Sequence, residues 1–185
     1  VPANAPVFVK EVLGEMIARN GDAIPVSQFP ADGTYPSATT KWEKRNIALE
    51  IPVWEPDLCI QCGRCSFVCP HAAIRTNVYP SELLENAPET FKSKASSHRD
   101  FKDGYSWTVQ VAPEDCVGCG LCIENCTGKD KNDPTRHAIN FGMQAPIRDS
   151  EAENWEFFLN LPLVDREAIN PPNIKNSQLL EPLFE

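Results

Sequence analysis

All eight cysteines of the chain fall into two short runs: Cys59, Cys62, Cys65 and Cys69, then Cys116, Cys119, Cys122 and Cys126. None lies elsewhere in the 185 residues. A disulfide scaffold spreads its cysteines so that bridges close loops, whereas bridges across two or three residues are strained and constrain little. The clustering reads instead as thiolates converging on metal. Structural zinc pairs two C-x2-C knuckles across a gap and closes one tetrahedron with four ligands. Here each run carries three knuckle-spaced cysteines and an offset fourth, twice over, and that disfavours zinc.

C-x2-C-x2-C-x3-C, followed in the first run by Pro70, is the bacterial pattern for a cubane 4Fe–4S cluster. Three thiolates on one wrapping loop reach three irons of one cube. The fourth cysteine follows once a helical turn has begun, and in two-cluster chains it ligates the other cluster. Cluster one is thus assigned Cys59, Cys62, Cys65 and Cys126, and cluster two Cys116, Cys119, Cys122 and Cys69. Pro70 restricts the backbone that aims Cys69; Thr127 stands at the matching place after Cys126. Gly63 and Gly120 lie between ligands, where backbone N–H groups must approach sulfur closely. Arg64 is the one charge between Cys59 and Cys69, whereas the second loop contains Glu124, so the potentials are expected to differ unless Glu124 faces outward. His71, His98 and His137 receive no role, because eight thiolates already satisfy two clusters.

The runs sit in an internal repeat offset by 57 residues, in which Pro56 matches Pro113, Gly63 matches Gly120 and all cysteines coincide. Eight extra residues follow Thr127, after which Ala138-Ile139-Asn140 matches Ala73-Ile74-Arg75. β-like runs at Ile51–Trp54 and Trp107–Val111 precede the two cysteine loops. The predicted fold is α+β: a ferredoxin-like pseudo-twofold of strand, cluster loop, helix and strand given twice, with extended N- and C-terminal arms. Residues 1–45 read as the end of a preceding domain and its connector. They hold a helix begun at Pro6 and stopped at Asn20-Gly21, with Phe8, Val12 and Met16 beside Val9, Leu13 and Ile17. Residues 46–150 read as the two-cluster domain, with 77–106 a polar, irregular insertion serving partner docking, cluster shielding or surface alone. Residues 151–185 read as a short helix over Glu151–Leu161, with Trp155, Phe158 and Leu159 on one side, then an arm with four prolines.

The net charge of -9 excludes nucleic acid as a natural partner, since phosphates need basic surface. No apolar run approaches the ~18 residues of a membrane span, and the start lacks a signal-peptide pattern, so the chain reads as soluble and cytoplasmic. It begins at Val1 without an initiator methionine and so reads as cut from something longer.

The stretches TTKWEKRNIALEIPVWEPDLCIQCG, CPHAAIR and ENWEFFLNLP, with GDAIPVSQFPADGTYPS upstream, closely resemble pyruvate:ferredoxin (flavodoxin) oxidoreductase from about Gly21 to Asp165. The resemblance implies the two-cluster segment of a much longer polypeptide that oxidatively decarboxylates pyruvate to acetyl-CoA. Thiamine diphosphate and a third cluster are then expected only in the rest of the parent, with the thiamine-binding domain following residue 185. The implied partners are the remaining domains of a homo-oligomeric parent, and ferredoxin or flavodoxin as acceptor. A stand-alone two-cluster ferredoxin, or a ferredoxin-type subunit of another oxidoreductase, is the alternative; the apolar, proline-rich Leu179–Phe184 arm disfavours it.

Overall fold

The computed structural model describes residues 1–170. The chain divides into two compact units, one from Val1 to Arg45 and a second beginning at Asn46.

In the first unit the predicted helix forms, but its central turn is widened: a π-turn over Val9–Leu13 leads into α1 (Gly14–Ile17). Val9, Val12 and Leu13 are buried, with Ala5 and Trp42 packed nearby. Met16 and Ile17, expected on the apolar stripe, are 46% and 56% exposed, because the widened turn shifts the face beyond Leu13. The connector that follows has single 3-10 turns at Gly21–Ala23, Val26–Gln28 and Thr40–Trp42.

The second unit contains the repeat. Its first copy is β1 (Glu50–Trp54), the first cysteine loop, α2 (Arg64–Val68) and β2 (Ile74–Pro80). After β3 (Lys94–Ala95), the second copy runs β4 (Tyr105–Val111), the second loop, α3 (Leu121–Glu124) and β5 (Ile139–Met143). Each copy's first strand pairs with the other copy's second. β1 lies antiparallel to β5, with Trp54 opposite Ile139; β4 lies between β2 and β3, with Val111 opposite Ile74. This is the α+β, ferredoxin-like arrangement expected from the repeat.

Both faces of β4 are buried. Trp107, Val109 and Val111 join Trp54, Ile74, Val78 and Ile139 in the core beside the cysteines. On the opposite face Thr108 and Gln110 donate to the Lys92 carbonyl at 2.7 and 3.3 Å, which satisfies polar groups that burial would otherwise penalise. Residues 77–106 are therefore less irregular than their polarity suggests. β2 runs on to Pro80 with Val78 and Tyr79 buried, and β3 adds an edge to β4.

The C-terminal helix, α4 (Gln144–Leu159), starts seven residues before the predicted Glu151. Pro146 masked its first turns in the sequence. At a helix start, however, the proline's missing N–H has no intrahelical partner to lose. Gln144 anchors the start, its N–H donating to the Leu49 carbonyl at 2.9 Å and its amide to Asn46 Oδ1 and the Pro113 carbonyl at 2.6 and 2.8 Å. Trp155 and Phe158 bury against Ala73, Tyr79 and Ala112, while Leu159 is exposed and Leu161 fills the place assigned to it. The following segment packs back onto the second unit, with Ile169 buried in the core beside the cysteines and the Pro162 carbonyl accepting from Asn77 Nδ2 at 3.1 Å. The Leu179–Phe184 arm lies outside the described residues. Among the described residues no helix is long and apolar enough to cross a membrane.

Candidate metal centres

The two cysteine loops turn the same way in space. Gln61 and Gly118, the second residue after each first cysteine, are both left-handed, at φ 56° and 69°. Gly63 and Gly120 repeat the conformation at 70° and 78° and open α2 and α3. These turns direct N–H groups inward: Gln61 N donates to Cys59 Sγ at 3.3 Å and Gly118 N to Cys116 Sγ at 3.4 Å. Such N–H···S dipoles stabilise anionic sulfur.

The thiols surround two cavities. Cys59, Cys62, Cys65 and Cys126 line one, closed by Trp107, Val109, Gly128, Ala138 and Ile139. Cys69, Cys116, Cys119 and Cys122 line the other, with Pro52, Ile74, Val111 and Phe141. Every wall thus takes three sulfurs from one run and its fourth from the other. The pairing of β1 with β5 and of β2 with β4 produces this, because it carries the end of each cysteine run to the opposite loop.

Burial raises the thiol pKa of Cys65 well above its usual range, with the neighbouring Cys59 and Cys62 thiolates adding to it. Cys122 is pushed up to about 12, again by burial first, then by Cys116, Cys69 and Cys119. Burial also raises Cys116 and Cys126; Cys69 is among the charges felt by the former and Cys59 among those felt by the latter. A metal centre must displace these protons, and its binding energy makes that possible.

The cavities span about 310 and 390 Å³ of non-atom space, part of it open to solvent. Among the described residues no three His, Cys, Asp or Glu side chains gather tightly enough for a single metal ion. Trp107, which lines the first cavity, also has its buried Nε1 without a hydrogen-bond partner among the described residues. Four thiols, inward N–H groups and apolar walls suit an anionic sulfur-bridged cluster, and the residues fit a 4Fe–4S group at each place.

The first 48 residues match a family model described as EKR, a domain of unknown function. Residues 58–129 match the model of a 4Fe-4S dicluster domain. The chain carries a 4Fe–4S dicluster domain. Its complement is two 4Fe–4S clusters on eight cysteines. The pyruvate-flavodoxin oxidoreductases of Nostoc and Trichormus variabilis are 53% and 54% identical over 182 and 180 residues, which is 98% and 97% of this chain. The pyruvate:ferredoxin oxidoreductase of Moorella thermoacetica is 42% identical over 180 residues, or 97% of the chain. The chain spans only 15% of the length of each relative, so it is homologous to one segment of these oxidoreductases, as the sequence resemblance implied.

Several residues around the dicluster domain's cavities are not apparent from the cysteine pattern. Gln61, buried to 2%, is held by the insertion: its amide donates to the Ala95 carbonyl at 2.7 Å and its Oε1 accepts from Ser97 N at 2.8 Å. Lys94 Nζ donates to the Pro56 and Cys59 carbonyls at 2.6 and 3.0 Å. The β3 segment therefore clamps the first loop. Thr127 Oγ1 lies in hydrogen-bond contact with Cys62 Sγ at 3.7 Å, so the residue replacing proline faces the opposite loop. The eight extra residues are pinned by Arg136, which pairs with Glu55 and, at 3.5 Å, with Asp130. Gln61 carried a sequence signal as the counterpart of Gly118 in the repeat, and Thr127 as the residue in the place of Pro70, whereas Lys94 carried none.

Of the histidines, His71 is exposed at the second cavity's rim, His98 is buried against Trp107, and His137 Nδ1 donates to the Ile123 carbonyl at 3.1 Å.

Proposed function

We propose that this chain is the electron-transfer segment of a pyruvate:ferredoxin or pyruvate:flavodoxin oxidoreductase, with no active site of its own. The observation that carries the ligand assignment is the composition of the two cavity walls. Cluster one takes Cys59, Cys62, Cys65 and Cys126, and cluster two Cys116, Cys119, Cys122 and Cys69. When bound, cubane clusters supply one-electron chemistry at low potential.

The chain's own residues set the conditions for that chemistry. Apolar walls exclude water, the N–H groups of Gln61 and Gly118 stabilise the sulfur charge, and Lys94 brings a cation to the carbonyls of the first loop. Cys119 is exposed while Cys62 is half-buried, so the second centre is the wetter one. Cys65 and Cys122 are buried in one core, which supports passage of an electron between adjacent centres.

In the parent enzyme, residues 1–45 would end a preceding domain, and 151–185 would lead toward the domain that binds thiamine diphosphate. Pyruvate would be oxidatively decarboxylated there to acetyl-CoA in a homo-oligomer that passes electrons on to ferredoxin or flavodoxin. A reducing cytoplasm suits eight thiolates held for metal.

Iron and acid-labile sulfide analysis with EPR of the reduced chain tests the complement, and Cys126→Ala tests the ligation. The centre on the first loop should be the one damaged; loss of the second loop's signal with the first intact would refute the assignment. A second test is catalytic. The isolated chain should pass electrons from a chemical reductant to an added acceptor yet leave pyruvate and coenzyme A untouched. Coenzyme A-dependent consumption of pyruvate by the purified chain would overturn this reading.

A further inference from the structure

Trp107 stands opposite Val78 on one neighbouring strand and Lys94 on the other, and is wholly buried. The residue lines the first cavity, and its ring centroid lies 4.9 Å from that of His98. An indole nitrogen is a donor only, and an unbonded buried donor pays its full desolvation cost. Trp107 Nε1 has no acceptor among the described residues, although it sits in a polar-satisfied strand whose other buried face is fully bonded through Thr108 and Gln110. Trp54 Nε1 is likewise unbonded, but Trp54 is not in either cavity's wall. The acceptor that the first cavity is built to bring is anionic sulfur.

We propose that the Trp107 indole N–H is a hydrogen-bond donor to a sulfur of cluster one and raises that cluster's reduction potential. The inference rests on cluster one being held by the wall of Cys59, Cys62, Cys65 and Cys126. The repeat itself is asymmetric here: Trp107 corresponds to Glu50, so the second cavity receives no indole from the matching place. A donor facing sulfur stabilises the more negative, reduced state, and its removal lowers the potential of the centre it serves. Trp107 is thus a tuning residue, not a ligand.

The test uses the full chain, reconstituted anaerobically, with Cys59→Ala to assign which EPR signal belongs to cluster one. In Trp107→Phe the midpoint of cluster one should fall while that of cluster two stays in place. A chain with nitrogen-15 in its indoles should show nitrogen and exchangeable-proton couplings to reduced cluster one by pulsed EPR. Those couplings should persist in Trp54→Phe. An unchanged midpoint in fully loaded Trp107→Phe, or an equal fall in both midpoints, overturns the proposal. If Trp107→Phe does not load, the labelled natural and Trp54→Phe chains decide it, and absence of the couplings from either one overturns it. If Cys59→Ala leaves both signals intact, the cluster assignment itself fails and this inference fails with it.

Discussion

At Gly128, two residues past the last cysteine, a Cβ atom would stand 2.5 Å from the Leu58 carbonyl oxygen and 3.0 Å from Ala138 Cβ. The first of these is backbone and cannot swing aside, so this glycine is required by close approach rather than by an unusual φ. Gly128 also accepts from Ala138 N at 2.8 Å, and Cys126 Sγ lies 3.7 Å from its carbonyl. The backbone that presents Cys126 is therefore wedged between the start of one cysteine loop and the end of the other copy. Gly128→Ala should cost about 1–3 kcal/mol by overpacking. Its iron content should fall, and the cluster-one EPR signal should weaken before that of cluster two. Gly21→Ala is the control, because a Cβ there meets nothing within 4 Å and the residue lies in the unit that holds none of the cysteines. It should keep both signals at equal intensity.

At the scale of elements, α4 closes the second unit, and its inward face carries a charge in an unfavourable place. Burial raises the pKa of the Glu151 carboxyl, against weaker opposing effects from Lys92 and a hydrogen bond with Asn154. A carboxyl whose folded pKa lies above its unfolded value contributes stability that is present below the unfolded value. That contribution is lost as pH rises through the folded value. At neutral pH the helix therefore holds a charge that it would be more stable without. Glu151→Gln should melt at a higher temperature than the natural chain at pH 7–8, and its advantage should shrink as the pH is lowered toward 5. An advantage that grows on acidification would mean the Lys92 attraction outweighs burial. The clamp from β3 works in the other direction. Lys94 donates to carbonyls of the first loop, and Gln61 of that loop bonds the Ala95 carbonyl and the Ser97 N–H, so the insertion supports a centre instead of straining it.

For the molecule as a whole, the decisive feature is that neither copy of the repeat forms a complete half. β1 finds its partner in β5, and β2 in β4, so the sheets exist only when both copies are present. Both cavity walls are completed in the same way. Such long-range pairing must overcome loop-closure entropy before it is rewarded, and cluster binding stabilises only the chain that has achieved it. The unit from Val1 to Arg45 contributes none of the eight cysteines and has its own small core around Val9 and Leu13. A chain beginning at Asn46 should fold and bind the same iron and sulfide per molecule as the full chain. A soluble truncation that has lost iron would place the boundary elsewhere.

Cysteine spacing was legible because three ligands of a cubane lie within one loop, and a local constraint leaves a local trace. The duplication and the strands before each loop were legible for the same reason: a period of 57 residues and short β-branched and aromatic runs are properties of the chain itself. The reach of the helix at Gln144 was not, since Pro146 means a break in isolation and a helix start only when Leu49, Asn46 and Pro113 supply the anchors. Nor was the order within residues 77–106, whose Lys92 carbonyl accepts from Thr108 and Gln110, whose Ala95 carbonyl accepts from Gln61, and whose Ser97 N–H donates to Gln61 Oε1. What the sequence determined alone was the number and kind of metal groups and the doubled plan that holds them. Tertiary structure decided why residue 128 must be glycine, how the insertion grips the first loop, and that a tryptophan lines one wall and not both. Those depend on approaches between residues tens of positions apart, and only strand pairing fixes such distances.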